Sequence, residues 1–278
     1  MAVLKISFDH LSGPLKKCFA FCSIFEKDTI MGKDELVQLW MAKGYLHPPS
    51  ESNSTMEDIG DQYFDDLLSN SLFQDIERNE IGDVESCKMH DVVPDLALFV
   101  SGGESMIWDQ TGSIDENSKI QHLRVKPNGG VLPRGFSQKL HSLFLDVEYA
   151  FDDIASNLKS LRSLVMLRAC SEEDLSISLR KMKHLRYLDI SSSQIKVLPK
   201  SFSKLYDLQT LKLMWCNHLE KVPDDMRNLV SLRHFYFSSE KHMPKEIGHL
   251  TSLQTLPLFV VGAEKGYRIE ELGCLSQL

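Results

Sequence analysis

The residues that could bind a metal ion or catalyse a reaction are scattered along this chain of 278 residues. Cys18 and Cys22 lie four residues apart on an expected helix and so share one face, a spacing that zinc ligands also use. A zinc site needs a second pair of ligands with similar spacing, and the other four of the six cysteines do not supply one. We therefore favour reduced thiols and predict no metal site.

Paired carboxylates are the other chemistry to consider, and Asp65-Asp66 is the strongest candidate pair. A hydrolytic enzyme needs two carboxylates that converge in a pocket, or a nucleophile beside its base. Neighbouring residues of a helix point to different sides, so this pair fits a solvated helix face better. We predict that the chain is not an enzyme.

The tripeptide Met89-His90-Asp91 precedes an expected helix. An imidazole at the start of a helix can donate a hydrogen bond to a phosphate oxygen. The alternative is an ordinary packed histidine before a capping Asp91. No G-x-x-x-x-G-K-[ST] loop occurs in the sequence, so we expect this chain alone to hold neither ADP nor ATP, nor any other cofactor.

Helical periodicity with cap residues surrounds this tripeptide. Asp34 is expected to cap a helix that Gly44 closes, Ser54 or Thr55 to cap a second helix, and Asp91 to cap a third. Residues 72–76 and 87–89 are expected to be strands on either side of a polar turn over 78–85. Helices followed by a small hairpin indicate a winged-helix domain over residues 1–100, and the polar, glycine-containing stretch 101–119 is expected to be a linker.

The motif L-x-x-L-x-L recurs in the second half of the chain at intervals of about 20 to 29 residues, as in leucine-rich repeats. The copies begin at Ile120, Leu140, Leu161, Leu185, Leu208, Leu232 and Leu253. Leu198-Pro199, Val222-Pro223 and Met243-Pro244 mark turns that lead into short helical segments. We predict an α+β multidomain protein, with a helical winged-helix domain followed by an α/β leucine-rich-repeat solenoid over 120–278, truncated at its C-terminus.

One face of this solenoid is the expected binding surface. The inward leucines alternate with residues that must face the open, concave side of the sheet. The concave candidates are Phe144, Tyr187, Asp189, Lys212, Met214, His234, Tyr236 and Phe259. A row of exposed aromatic rings indicates a partner-binding surface, and the alternative is that these rings pack against neighbouring turns.

Charge is divided unevenly along the chain. Residues 1–119 carry 9 basic and 22 acidic side chains, and residues 120–278 carry 22 basic and 17 acidic ones. The acidic winged-helix part would repel a phosphate backbone, so we predict no DNA binding. Instead, an intramolecular contact between the winged-helix part and the basic early repeats is expected, involving residues such as Arg124, Arg134 and Arg168. No apolar stretch is long enough to span a membrane.

Three stretches, in order, resemble plant nucleotide-binding leucine-rich-repeat disease-resistance proteins of the coiled-coil type: LKKCFAFCSIFEKD at 15–28, ELVQLWMAKG at 35–44, and Met89-His90-Asp91. Glu26 and Pro94 depart from the family pattern. The resemblance implies an intracellular immune receptor that is held off with ADP bound. A pathogen effector switches such a receptor on, ATP replaces ADP, and the receptor oligomerises.

The resemblance also implies roles for individual residues and partners. Met89, His90 and Asp91 would be the nucleotide-sensing motif, with His90 reaching the ADP phosphates. The ADP or ATP would be held by an upstream nucleotide-binding domain that this chain lacks, so the chain is either a fragment or a truncated gene product acting as a free decoy or scaffold. The repeats would bind a pathogen effector or a guarded host protein and autoinhibit the receptor. The expected location is the cytoplasm, with the nucleus or the membrane periphery as alternatives.

Overall fold

The computed structural model describes residues 2–48, 53–109, 118–126, 139–145, 158–166, 179–238 and 243–278. The chain divides into two compact units, the first made of Met1–Ile107 with Lys119–Leu123, and the second of Trp108–Ser118 with Arg124–Leu278. The first unit is mainly helical with a small antiparallel sheet, and the second contains parallel strands in repeats. The predicted fold class is confirmed.

The described part of the first unit contains five α-helices, a 3-10 helix (Cys22–Ile24) that follows the second of them, and a three-stranded sheet. The helices are α1 (Ala2–Asp9), α2 (Gly13–Phe21), α3 (Lys33–Lys43), α4 (Met56–Ser69) and α5 (Val93–Val100). The strands β1 (Met31–Gly32), β2 (Gln74–Arg78) and β3 (Val84–Lys88) pair in the order β1-β3-β2. The hairpin of β2 and β3 between α4 and α5 is the wing that the sequence predicts.

Helix α3 begins at Lys33, two residues earlier than a cap at Asp34 would place its start. Gly32 is its N-cap residue, while Asp34 lies in the first turn, so the prediction of a capping Asp34 is wrong. At that position the carboxylate still stabilises the helix, because the N-terminal end carries a partial positive charge. Gly44 ends the helix as predicted, with a φ of 74° that a residue without a Cβ adopts easily.

Helix α4 is capped as predicted and packs closely against α3. The Thr55 hydroxyl accepts from the Asp58 amide at 3.1 Å, and the Asp58 carboxylate accepts from the Thr55 amide at 2.7 Å. Gly60 faces Val37 of α3, and a Cβ at position 60 would lie 2.4 Å from a Val37 methyl carbon. The two helices therefore approach more closely than any larger residue at 60 would allow.

The wing hairpin is longer, and its turn shorter, than predicted. Arg78 and Glu85, which the sequence pattern places in the turn, belong to the strands, and Met89 follows β3 instead of lying in it. A hairpin with one solvated face carries polar residues within its strands, so polarity alone overestimates the turn. The Asn79 side-chain oxygen closes the turn by accepting from the amides of Ile81 and Asp83, at 3.1 and 2.9 Å.

A seven-stranded sheet follows chain order through the repeats. Its strands are β4 (Ser105–Trp108), β5 (His122–Val125), β6 (Ser142–Leu145), β7 (Ser163–Met166), β8 (Tyr187–Asp189), β9 (Thr210–Leu213) and β10 (His234–Phe237). Pairing is parallel from β6 through β10. Thus six of the seven predicted repeat strands form.

Two predictions about the ends of this sheet need correction. Strand β4 lies within the expected linker 101–119, because the apolar run Met106-Ile107-Trp108 can pair and pack. At the other end, the copy that begins at Leu253 makes a single parallel bridge, between Thr255 and His234. Pro257 has no N–H to extend that ladder.

Leucines of the repeat motif form the core of the second unit. Leu164, Leu188 and Leu211, which are register partners on β7, β8 and β9, are fully buried. Short 3-10 helices lie between strands at Lys200–Lys204 and Asp224–Asn228, and two more follow β10 at Ile247–His249 and Ile269–Cys274. Pro199 and Pro223 precede the first two of these helices, as the sequence predicts.

Candidate functional site

His90 lies between two carboxylates in the first unit. Its Nδ1 is 2.6 Å from Oδ1 of Asp28, and its Nε2 is 2.6 Å from Oδ2 of Asp75. The imidazole side chain is 24% exposed, whereas the two aspartate side chains are 55% and 63% exposed. The histidine of the predicted motif is therefore partly accessible and hydrogen-bonded at both ring nitrogens.

Unusual backbone conformations bring these groups together. Asp28, Asp75 and Asp91 have φ values of 61°, 46° and 52°, in the left-handed region that aspartate tolerates better than most residues. Asp75 lies where the pairing of β2 with β3 shifts register. In addition, the Asp28 amide donates to the carbonyl of Met89 at 3.3 Å, which ties the turn before β1 to the motif.

The surroundings of His90 favour its charged form. Hydrogen bonds to Asp28 and then Asp75, with the charges of both carboxylates, raise the pKa of His90 above its ordinary value of 6.5. Desolvation acts in the opposite direction and is the smaller effect. An imidazolium donates from both nitrogens, which matches two acceptor oxygens.

The other two motif residues have different environments. Met89 is buried in the core, and Asp91 is exposed. The prediction that Asp91 caps the following helix is wrong, because α5 begins at Val93 with Val92 at the N-cap position and no side-chain cap. Instead, the Val93 amide donates to the His90 carbonyl at 3.0 Å.

Cys18 and Cys22 lie in the core of the first unit. Burial is the main cause that raises the pKa of the Cys18 and Cys22 thiols well above their usual range. The Cys22 thiol donates to the Cys18 carbonyl at 3.3 Å. Within the described residues there is no group of three or more His, Cys, Asp or Glu side chains that could hold a metal ion.

The concave candidates in the second unit differ in accessibility. Phe144 and Tyr187 are 1% and 0% exposed, so the expectation that they form an exposed row of rings is wrong for these two. Asp189 and His234 are also buried. The partly exposed candidates are Lys212, Met214, Tyr236 and Phe259.

Cations cover several of these rings. The Lys212 ammonium lies 5.4 Å from the Tyr187 ring centre and 5.1 Å from that of Tyr236, and the Arg124 guanidinium lies 4.9 Å from the Phe144 ring centre. Cation–π contacts of this kind stabilise a pair by about 0.5–1 kcal/mol at exposed sites. They explain why rings on one face of a sheet do not all remain open to solvent.

Asp189 and His234 have structural partners. The Asp189 carboxylate accepts from the Ser191 amide at 2.9 Å and so shapes the turn after β8. The His234 Nδ1 lies 3.0 Å from the Thr255 hydroxyl, beside the isolated bridge at the end of the sheet. The His234 contact therefore joins adjacent repeats, whereas the Asp189 contact stabilises a turn within one repeat.

Trp215 was not among the predicted site residues, although it follows Met214. Its side chain is 66% exposed, and its backbone has a φ of 60°. The Trp215 amide donates to the Ser238 hydroxyl at 2.8 Å, which holds the turn after β9. Ser192 occupies the same position in the preceding repeat with a φ of 59°, so the repeat imposes this conformation.

Exposure and conformation together single out Trp215. A non-glycine residue in this region carries a strain of about 1–3 kcal/mol, and an exposed indole gains no burial to offset it. The only signal in the sequence was its position, seven residues after Leu208 in the repeat.

Among the described helices, none is long and apolar enough to cross a lipid bilayer.

Comparison with known proteins agrees with this two-part architecture. A family model described as the winged-helix domain of disease resistance proteins matches residues 24–97, and a model described as a leucine-rich repeat region matches residues 139–278. These ranges correspond to the helical unit with the wing and to the repeats. His90 and its two carboxylate partners all lie within the first match.

Similar plant proteins extend the match over the whole chain. A disease resistance protein of Arabidopsis thaliana, At3g14460, is 35% identical, with 100% of this chain and 20% of that protein covered. Disease resistance protein RGA2 of Solanum bulbocastanum is 34% identical (99% and 26% covered), and RGA5 of Oryza sativa subsp. japonica is 28% identical (99% and 25%). The chain thus spans about a fifth to a quarter of the length of these relatives. It belongs to the leucine-rich-repeat family and carries, ahead of its repeats, the winged-helix domain of plant disease resistance proteins.

Proposed function

We propose that this chain is the regulatory and recognition part of an intracellular plant immune receptor in the cytoplasm. The winged-helix unit senses ADP or ATP held by a nucleotide-binding domain outside this sequence. The repeats bind a pathogen effector or a guarded host protein and restrain the receptor in its absence. This is a binding and switching function, not catalysis.

The observation that carries the nucleotide-sensing role is the position of His90. It is partly exposed, follows the wing after Met89, and has a carboxylate oxygen 2.6 Å from each ring nitrogen. A phosphate oxygen accepts the same kind of bond as a carboxylate oxygen. The family resemblance supplies the ligand, and the geometry makes a contact between the imidazolium and an ADP phosphate chemically reasonable.

The test is nucleotide retention by the full-length protein that contains this segment. We expect the purified protein to carry ADP and His90→Ala to lower its ADP affinity about 10- to 100-fold, because one charge-assisted hydrogen bond contributes about 1.5–3 kcal/mol. The released receptor should signal in leaf tissue without a pathogen. ADP content is measured by chromatography of the denatured protein.

His184→Ala provides the matched control. His184 lies in the repeats, is mostly exposed, and pairs with a carboxylate of Asp207 at 3.9 Å. It should leave ADP content and signalling unchanged. If His90→Ala retains as much ADP as the unaltered protein and stays silent, the sensing role is wrong.

The recognition role rests on the accessible face around Trp215. Lys212, Met214 and Tyr236 lie on or beside neighbouring strands, and the Lys212 ammonium is already fixed between two tyrosine rings. The accessible aromatic side chains Trp215 and Tyr236 suit a protein partner, because tryptophan and tyrosine dominate binding energies at interfaces. We propose that Trp215 is the central contact.

We expect Trp215→Asn to separate binding from stability. Asparagine tolerates the left-handed region, so the isolated chain should unfold at the same or a higher temperature. Loss of an interface tryptophan costs about 2 kcal/mol or more, so recognition by the full receptor should weaken about 30-fold. Thermal unfolding and a dose-response of effector-triggered signalling measure the two effects.

Ser192→Asn is the control for this substitution, since Ser192 has the same repeat position and φ without the ring. It should leave recognition intact. A Trp215→Asn receptor with an unaltered dose-response would remove Trp215 from the interface. Loss of folding in both variants would instead show that the turn itself cannot accept asparagine.

A further inference from the structure

We propose that Asp28 and Asp75 are positioning residues that hold His90 as a doubly donating imidazolium, and that Asp75 occupies the ring nitrogen at which a phosphate would bind. The second half of this inference rests on the proposed nucleotide-sensing role of His90. The first half concerns this chain alone. Neither aspartate belongs to the Met89-His90-Asp91 motif.

Hydrogen-bond chemistry leads to the first half. A neutral imidazole has one N–H donor and one lone pair, while an ionised carboxylate offers only acceptors. With carboxylate oxygens 2.6 Å from both ring nitrogens, a neutral ring would turn a lone pair toward one of them. Protonation of His90 removes this conflict and makes both contacts favourable.

The charges around the ring support the same conclusion. Asp28 reaches His90 from the turn before β1, and Asp75 reaches it from β2. The charged neighbours along the chain are Lys27 beside Asp28, and Lys88 and Asp91 on either side of Met89 and His90. Among the described residues, only the two aspartates hydrogen-bond to the ring.

The two aspartates are not equivalent, which leads to the second half. The backbone amide of Asp28 donates a hydrogen bond to the Met89 carbonyl, so the backbone holds Asp28 next to the motif. Asp75 lies at the irregular start of the wing hairpin and has the more exposed side chain of the two. An incoming anion can therefore displace Asp75 from Nε2 while Asp28 continues to orient the ring through Nδ1.

Retained Asp28 would also keep the ring useful to the anion. A carboxylate that accepts from Nδ1 raises the basicity of the imidazole and fixes its orientation, so the ring stays protonated and Nε2 still carries an N–H that it can donate to the anion. If an anion displaced Asp75, strand β2 of the wing, which carries Asp75, would lose its contact with His90. Anion binding at His90 and the position of the wing are thereby coupled.

The pH dependence has a defined sign. Because the pKa of His90 is raised in the folded chain, its contribution to stability is complete below the ordinary value of 6.5. It is lost as the pH rises through the raised value. The contact between His90 and Asp75 of the wing therefore weakens as the pH rises above the raised pKa of His90.

The test of the first half is a nuclear magnetic resonance titration of the His90 imidazole in the 278-residue chain. The pKa should lie above 6.5 in the unaltered chain, and Asp28→Asn or Asp75→Asn should each lower it by about 0.5 to 1. Asparagine keeps the left-handed backbone accessible. Asp83→Asn, which removes an exposed charge at the far end of the same hairpin, should change it by less than about 0.2.

The titration of the unaltered chain can by itself contradict the first half of the inference, so the outcome does not depend on whether a variant folds. A His90 pKa at or below 6.5 would do so, as would a pKa that neither Asp28→Asn nor Asp75→Asn changes more than Asp83→Asn does. A purely structural role for the aspartates would alter the unfolding temperature without moving the titration. ADP retention plays no part in this measurement.

The second half is tested with pyrophosphate as the probe, followed by the His90 signals at a pH below its measured pKa. Asp75→Asn should bind pyrophosphate about three- to tenfold more tightly than the unaltered chain or Asp83→Asn. Asp28→Asn should gain less. Equal binding by Asp75→Asn and Asp83→Asn, a larger gain for Asp28→Asn, or no response of His90 in Asp75→Asn would each show that Asp75 does not guard the anion site.

Discussion

Phe235→Ala is expected to lower the free energy of unfolding by about 3–5 kcal/mol, because truncation of a fully buried phenylalanine leaves a cavity in addition to the lost burial. Phe235 is 0% exposed in β10, and its ring stacks on Phe237 with centres 5.5 Å apart. Its amide donates to the Thr255 carbonyl at 3.0 Å. The side chain and the backbone thus support adjacent repeats.

Guanidinium denaturation of the 278-residue chain measures the loss, and hydrogen exchange locates it. Repeats contact mainly their neighbours, so protection should fall most in β9, in β10 and after Thr255, and little in the first unit. Val230→Ala in the same repeat is the control, because this exposed side chain should change stability by less than about 0.5 kcal/mol. A similar loss in both variants, or uniform loss of protection, would contradict the local-repeat interpretation.

The repeats could be predicted well because their pattern reports burial directly. An inward leucine at a fixed position is required in each repeat, and Leu164, Leu188 and Leu211 occupy that position in successive strands. The errors came where pairing depends on more than this pattern. Strand β4 has no preceding motif copy, and the Pro257 ring interrupts a copy that is otherwise regular.

The helices were predicted more reliably than their caps. Thr55 and Asp58 carry a reciprocal capping pair that is visible in the sequence. Asp34 and Asp91 are the same residue type before similar apolar patterns, yet one lies within a helix and the other in a left-handed turn. Aspartate suits a helix cap, the first turn of a helix and a left-handed turn, so the residue type alone does not show which of these conformations the backbone adopts.

The partners of His90 could not be predicted for a different reason. Asp28 and Asp75 are 62 and 15 residues away in the chain, and their contacts depend on two turns and a strand irregularity. Similarly, alternation along a strand indicates the face on which Tyr187 lies but not that Lys212 covers its ring. Long-range geometry of this kind decides the site, whereas local patterns decide the fold.

Asp91→Val is expected to alter the motif through its backbone. Asp91 is exposed, caps no helix, and has a φ of 52°. A β-branched residue is rarely found in that region, so valine should cost about 1–3 kcal/mol or force the turn to rearrange. Rearrangement would move His90, whose carbonyl accepts from Val93 at the start of α5. In the full receptor we therefore expect Asp91→Val to release ADP and to signal without a pathogen.

A set of substitutions at this position separates conformation from charge. Asp91→Asn and Asp91→Gly also remove the carboxylate but accept the left-handed backbone, so they should stay within about 0.5 kcal/mol of the unaltered chain and leave the His90 signals in place. Asp95→Val is the control for valine itself, because Asp95 is an exposed residue in the first turn of α5. It should cost no more than about 0.5 kcal/mol. If Asp91→Gly destabilises the chain and activates the receptor as strongly as Asp91→Val, the carboxylate and not the backbone angle is what the motif requires.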